Sequence, residues 1–180
     1  YNLQPVRFPF DPELKNTEIE VDFHPHGVVG HIGIWNYPFW QTMITAIPAL
    51  LAGNAIVHKP SDFTTITGQK IADILYEAGV PREVYELVIG GAAVGKQIVK
   101  SNVDSIVFTG GIATGRSIVK NAGIKPLLLE LSGNDAGIVC ADCDMAQAVA
   151  GIAFGTFIHA GQSCVRIKRV YVMKSIADEF

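Results

Sequence analysis

Three side chains in this sequence have the types needed for covalent catalysis at an electrophilic carbon. Cys164 closes the stretch Gly161-Gln162-Ser163-Cys164, a glycine turn after a strongly apolar, helix-like run. The thiolate is the reactive form of cysteine, and a helix starting beside this polar loop is expected to lower the thiol pKa. A buried structural thiol is the plainer reading of the same residue. Glu130 is the lone charge in Leu127-Leu128-Leu129-Glu130-Leu131. A carboxylate in so apolar a strand is expected to be buried, and buried carboxylates are rare without a partner or a task. The task that fits is that of a general base. Asn36, at the end of another apolar run, offers an amide donor suited to an oxyanion, or equally a turn residue before Pro38.

Glycine-rich segments supply a second kind of site. Gly110-Gly111-Ile112-Ala113-Thr114-Gly115 follows a strand-like run and opens a helix-like one, so its backbone N–H groups can approach a phosphate. A tight strand-to-helix turn explains the same residues. The stretch from Gly90-Gly91 to Gly95-Lys96-Gln97 nearly spells a phosphate loop. Glutamine stands where Ser or Thr must hold magnesium, and nucleotide hydrolysis is set aside on that ground. Lys59 and Asp62 flank a turn after a short strand. An acid so placed bonds ribose hydroxyls and a lysine reaches ribose or phosphate, while a helix cap with a solvated lysine is the alternative.

Holding such residues together requires a scaffold, and the hydrophobic pattern predicts one. Ile19, Val21 and Phe23 alternate with Glu20 and Asp22, which predicts a half-exposed strand after an irregular, proline-bearing start. Apolar runs then predict strands at 27–35, 55–57, 85–89, 105–108 and 127–131, interleaved with helices at 39–51, about 66–78, 93–100 and 114–121. Pro48 is expected to kink its helix or move the helix start, and Gly53 to end it. Strands alternating with helices predict an α/β fold, a parallel sheet with helices on both faces. Ligands in such sheets gather beyond the carboxyl ends of the strands, where Asn36, Lys59 to Asp62, Gly90-Gly91, Gly110-Gly111 and Glu130 fall. After Ser132 the rhythm changes: a strand at 138–140, a helix at 145–157, a loop at 159–164 and a strand at 169–173 predict the start of a second domain.

Composition excludes several classes. Hydrophobic residues make up 49% of the 180 and charged residues 17%, too apolar a chain for disorder. A net charge of −3 without a basic block leaves no nucleic-acid footprint. The most apolar stretch, 42–57, is short and broken by Pro48, Gly53 and Asn54, so no membrane span is expected. Three cysteines favour a reducing, cytoplasmic compartment over a disulfide scaffold. Cys140 and Cys143 form a C-x-x-C, but no second ligand pair completes a zinc site, and two small apolar residues beside a helix start is the reading kept. No metal is expected. The chain opens Tyr-Asn-Leu-Gln-Pro with neither methionine nor a signal-peptide pattern, which is read as a partial chain.

Taken together, five stretches resemble the aldehyde dehydrogenase superfamily, in its order and at its approximate spacings. They are Ile34-Trp35-Asn36-Tyr37-Pro38-Phe39, Asn54 to Asp62, Phe108-Thr109-Gly110-Gly111, Leu129-Glu130-Leu131-Ser132-Gly133 and Gly161-Gln162-Ser163-Cys164. The resemblance implies NAD(P)-dependent oxidation of a small aldehyde to a carboxylic acid. Cys164 matches the nucleophile and Asn36 the oxyanion donor. Glu130 matches the base that activates water to hydrolyse a thioester. For the cofactor, NAD or NADP, Lys59, Ser61 and Asp62 match contacts to the adenosine ribose, and Gly91, Thr109, Gly110 and Gly111 the surrounding and phosphate region. Leu131 matches a contact to the nicotinamide amide, with Ile34 and Trp35 lining the same cleft.

The implied architecture is a Rossmann-like cofactor domain over residues 24–131, preceded by a strand or hairpin arm at 1–23 that serves homo-oligomerisation. It is followed by a truncated start of the catalytic domain at 132–180. Family members run more than twice as long, so the isolated chain is expected to be inactive. Departures are Gly111 where many relatives carry Ser, Ser132-Gly133 for Gly-Gly, and Asp62 for a frequent Glu, which leaves NAD and NADP both open. Competing readings are an acylating relative that passes the acyl group to CoA, against which Glu130 argues, and a scaffold that keeps the fold without catalysis. Arg166 is read as a structural ion-pair partner beside the thiol.

Overall fold

The computed structural model describes residues 4–8 and 19–180. Residues 1–3 and 9–18, on which much of the expected N-terminal arm falls, lie outside the described residues. The chain divides into two compact units, the first of Tyr1–Thr109 and Ala113–Leu129, the second of Gly110–Ile112 and Glu130–Phe180.

Ahead of the main sheet, β1 (Val6–Phe8) pairs antiparallel with β2 (Ile19–Val21). The register sets Val6 against Val21 and Phe8 against Ile19, with Arg7 opposite Glu20 in a 3.4 Å ion pair. The alternation at 19–23 predicts a strand, and its partner is Val6–Phe8 in the proline-bearing segment before it. The ribbon is not half-buried: every residue of both strands is exposed. A two-stranded ribbon has no second layer of its own to cover its apolar side.

The first unit is built on β3 (Val28–Ile32), β4 (Ala55–Lys59), β5 (Tyr85–Leu87), β6 (Ser105–Gly110) and β7 (Leu127–Leu131), in the order β5-β4-β3-β6-β7. β3 pairs in parallel with both β4 and β6, and β4 with β5. Helices α1 (Pro38–Leu51), α2 (Thr65–Glu77), α3 (Ala92–Lys100) and α4 (Ile112–Asn121) connect them. Gly53 at φ +87° and Gly79 at φ +92° follow α1 and α2, where an L side chain would be strained. Pro48 stays inside α1, and its carbonyl accepts from Ala52 N at 3.0 Å.

The period of the strands assigns their two faces. Val29, Ile56 and Val107 pack with Ala46 of α1 and with Ile71, Ala72 and Leu75 of α2. On the other face, a Cβ on Gly30 would lie 2.7 Å from Ile98 Cγ2, so this strand glycine lets α3 come close. Helices therefore cover both faces, as the alternating pattern predicts. β7 departs from the expected buried strand. It is the edge strand, and Leu127, Leu129 and Leu131 are half-buried while Leu128 and Glu130 are exposed.

A polar network inside the α1/α2 face has no counterpart in the sequence reading. His31 Nε2 lies 2.7 Å from Thr45 Oγ1, and His58 Nδ1 lies 2.6 Å from the Tyr85 hydroxyl. The two imidazoles meet edge to face at 4.9 Å, and Tyr76 OH donates to Tyr85 O. His31 Nδ1 and His58 Nε2 have no hydrogen-bond partner among the described residues. Burial pulls His31 down to about 4. It pulls His58 well below its usual value too, helped by His31 and by the Lys59 ammonium. Burial raises the Tyr85 phenol. Both imidazoles are thus neutral in the fold, while in the unfolded chain they take up protons near pH 6.5. The folded pKa is the lower one, so their contribution is complete above pH 6.5 and is lost as pH falls toward 4. Unfolding free energies of the complete protein at pH 7.5 and pH 5 should differ by about 2 kcal/mol from His31 alone, with His58 adding to it, and His31→Leu should shrink the difference. Equal stability at the two pH values for wild type would sink this account.

The second unit pairs β8 (Asp135–Val139) in parallel with β9 (Ile167–Val172), with α5 (Met145–Phe157) between them in sequence. Asp144 caps α5, accepting from Gln147 N at 3.0 Å. Glycine permits close packing here: a Cβ on Gly155 would lie 2.7 Å from Ile167 Cδ1. Cys140 is exposed and Cys143 half-buried, and both lie just ahead of α5, beside a helix start as expected. Among the described residues no helix is long and apolar enough to cross a membrane, and no group of His, Cys, Asp or Glu could hold a metal ion.

Candidate active site

The sheet order reverses at β3: the chain passes to β4 and β5 on one side, then back to β6 on the other. At that reversal, over the carboxyl ends of the strands, the first unit holds a cavity of about 740 Å³. Its apolar floor includes Ile32, Phe108, Val99 and Ile118, and its polar wall includes Lys59, Ser61 and Asp62.

Lys59 is the best-defined charge in the cavity. It is only 5% exposed, and its ammonium donates to Pro60 O at 2.7 Å and Asp62 Oδ1 at 2.9 Å. A buried ammonium is tolerated only with such partners, so the solvated lysine of the plainer reading is excluded. Ser61 caps the short 3₁₀ turn Asp62–Thr64, with its hydroxyl 3.4 Å from Phe63 N. This turn is wedged from below: a Cβ on Gly68 of α2 would lie 2.6 Å from Pro60 Cγ. Gly91 precedes α3, and a Cβ there would stand 3.3 Å from Asp62 Oδ2. The near match to a phosphate loop fails on backbone grounds as well. α3 begins at Ala92, so Gly95 and Lys96 lie inside a helix and not in a loop.

The remaining first-unit candidates sit at strand ends. Ile34 and Asn36 are half-buried in the bend between β3 and α1, beside Trp35 at 44% exposure. Thr109 is buried, and its hydroxyl has no hydrogen-bond partner among the described residues.

Gly110, Gly111, Glu130, Leu131 and Cys164 belong to the second unit. Cys164 lies half-buried in a turn whose hydrogen bond runs from Arg166 N to Ser163 O at 3.4 Å, and β9 begins at Ile167. The helix start expected beside the thiol is absent, because extended chain follows the turn directly. The glycine turn is present and goes further than expected. His159 and Ala160 (both φ 54°) and Gly161 (φ 72°) are consecutive left-handed residues, a conformation that costs the first two about 1–2 kcal/mol each. They reverse the chain after α5 and deliver Ser163, 7% exposed, and Cys164. Arg166 forms no ion pair with a described residue; its guanidinium packs 3.4 Å from the Cβ position of Gly161.

The segment after β7 meets the cysteine turn. A Cβ on Gly133 would lie 2.7 Å from Cys164 O and 2.7 Å from Asp135 Oδ1, and the ammonium of Lys168 donates to Gly133 O. Glu130 and Cys164, widely separated in sequence, are thus joined in one unit through this contact, and Asn36 stands in the other. Glu130 is exposed and not buried as its apolar neighbours led one to expect, because an edge strand leaves its outward face open. Gly133→Ala should lower stability by about 1–3 kcal/mol, since a backbone carbonyl cannot yield as a side-chain tip does. Thermal unfolding checks this, and an unchanged transition would show that the turn has room.

A parallel sheet with a cavity at its point of reversal is the architecture in which α/β proteins hold nucleotides, and here it is joined to a unit carrying a turn-borne cysteine. The family model described as the aldehyde dehydrogenase family matches residues 2–180, and the chain belongs to this family. It is 44% identical to 4-trimethylaminobutyraldehyde dehydrogenase of Pongo abelii over 87% of this chain and 32% of that protein. With betaine aldehyde dehydrogenase of Bacillus subtilis it shares 43% identity over 93% of this chain and 35% of that protein. The crystal structure of a Mycobacterium tuberculosis aldehyde dehydrogenase complexed with NAD+ superposes with a TM-score of 0.88 at 36% identity, covering 92% of this chain and 35% of that one. The chain spans about a third of the length of the curated relatives it matches.

Proposed function

We propose that the protein to which this chain belongs oxidises a small aldehyde to its carboxylic acid with NAD or NADP, through a thioester on Cys164. The observation that carries this reading is the pairing, within one family member, of a cavity at the sheet reversal with a cysteine turn and a carboxylate joined in a single unit. In this reading residues 24–131 bind the dinucleotide and 132–180 begin the catalytic domain. Residues 1–23 form an arm for homo-oligomerisation, supported by the exposed apolar side of the β1–β2 ribbon. The protein works in the cytoplasm and needs no nucleic acid, membrane or metal.

The donor set fits a dinucleotide. The apolar floor suits an adenine ring, the Lys59–Asp62 pair suits ribose hydroxyls, and the missing Cβ of Gly91 keeps the approach to Asp62 open. Lys59, Ser61, Asp62 and Gly91 would hold the adenosine side, and Thr109, Gly110 and Gly111 the phosphates. Thr109 carries a buried hydroxyl with its hydrogen-bonding capacity unused among the described residues. Ile34, Trp35 and Leu131 would flank the nicotinamide. When bound, the nicotinamide accepts a hydride.

The chain's own residues do the rest. The Cys164 thiolate adds to the aldehyde carbon, and the Asn36 amide and the Cys164 N–H donate to the oxyanion that forms. Once the carbon has been oxidised to a thioester, Glu130 takes a proton from water, which attacks the acyl carbon and releases Cys164. An aldehyde panel with NAD and NADP on the complete protein tests the proposal: acid and reduced cofactor should form in equal amounts without CoA. Strict dependence on CoA would move the protein to the acylating reading, and no turnover with either cofactor would leave the scaffold reading.

A further inference from the structure

The cavity carries more positive charge than a ribose requires. Lys59, Lys96, Lys100 and Asp62 are its charged lining residues, and Asp62 is taken by Lys59 at 2.9 Å. Lys96 and Lys100, four residues apart on α3, both line the cavity and form no ion pair with any described residue. Two cations left without a counter-charge in one cavity repel each other and favour an anionic occupant.

The position of Lys96 says which anion. The neighbouring Gly95 packs against the stem of Lys59, with its Cβ position 3.8 Å from Lys59 Cδ. Gly91, one turn earlier, faces Asp62 Oδ2. Lys96 therefore emerges from α3 beside the Lys59–Asp62 pair that suits the ribose, whereas Lys100 lies a further turn along, about 6 Å away along the axis. Asp62 alone would repel a phosphate, but its Oδ1 is bonded to Lys59 and the wall remains net positive.

We propose that Lys96 reads a 2′-phosphate on the adenosine ribose, so that the cavity prefers the 2′-phosphorylated dinucleotide over the unphosphorylated one. The proposal rests on the dinucleotide reading of this cavity and deepens it. An ammonium forms charge-assisted hydrogen bonds with phosphate oxygens, at a point where no other described residue competes for it. Lysine acts here as a point charge, which arginine can replace, while alanine cannot.

Calorimetric titration of the complete protein with 2′,5′-ADP and with 5′-AMP tests this without relying on turnover. The wild type should bind 2′,5′-ADP about tenfold more tightly, and Lys96→Ala should bring the ratio of the two affinities close to one. Lys96→Arg should keep the preference, and raising the salt concentration should erode it. Equal affinities in the wild type, or a ratio unchanged by Lys96→Ala, would overturn the role of Lys96 while leaving the dinucleotide site standing. Failure of both nucleotides to bind would overturn the dinucleotide reading and this proposal with it.

Discussion

Cys164→Ala in the complete protein should lower aldehyde oxidation by about 10⁴-fold or more, with the fold retained. The reason is specific to the chemistry. An aldehyde carbon releases hydride readily only after a nucleophile has made it tetrahedral and given its oxygen a negative charge, and in the proposed reaction the Cys164 thiolate is that nucleophile. Cys164→Ser should fall nearly as far, because a hydroxyl remains protonated at neutral pH where a thiol is partly ionised. The fold should tolerate either change, since Cys164 is half-buried in a turn and forms no disulfide. Steady-state kcat/KM with circular dichroism as control measures both, and activity within tenfold of wild type would move the nucleophile elsewhere.

Glu130→Gln should divide the reaction in two. In the proposed reaction thioester formation does not use the carboxylate, so one equivalent of reduced cofactor per protein should still appear in a first burst. Hydrolysis in that reaction uses Glu130 as its base, so steady turnover should drop by roughly 10²–10⁴-fold. The substitution is nearly isosteric at an exposed edge position, so a loss of stability should not confuse the result. Rapid-mixing absorbance of the reduced cofactor separates the phases. Loss of the burst along with turnover would place Glu130 in the first step instead.

Much of the fold was legible because its signals are local. The apolar runs around Val29, Ile56 and Val107 and the helix-ending Gly53 depend on neighbours a few residues away. The cysteine turn was legible through Gly161 alone. The left-handed geometry of His159 and Ala160 was not, since neither type announces it. Lys96 was visible only as part of a near-miss phosphate loop. Its place in the cavity depends on α3 packing with Gly95 against the Lys59 stem, and no spacing rule encodes that.

By itself, the sequence determined the succession of strands and helices, the α/β class, and the candidates Asn36, Glu130 and Cys164. These follow from periodicity, turn chemistry and residue type, which act over short separations. Only the tertiary structure decided that the Lys59 ammonium is buried against Asp62, that His31 and His58 stay neutral together, that Glu130 is open to water, and that Gly133 abuts Cys164. Burial, charge pairing and proton affinity are set by groups brought together from distant parts of the chain, and those contacts exist only once the strands have found their order in the sheet.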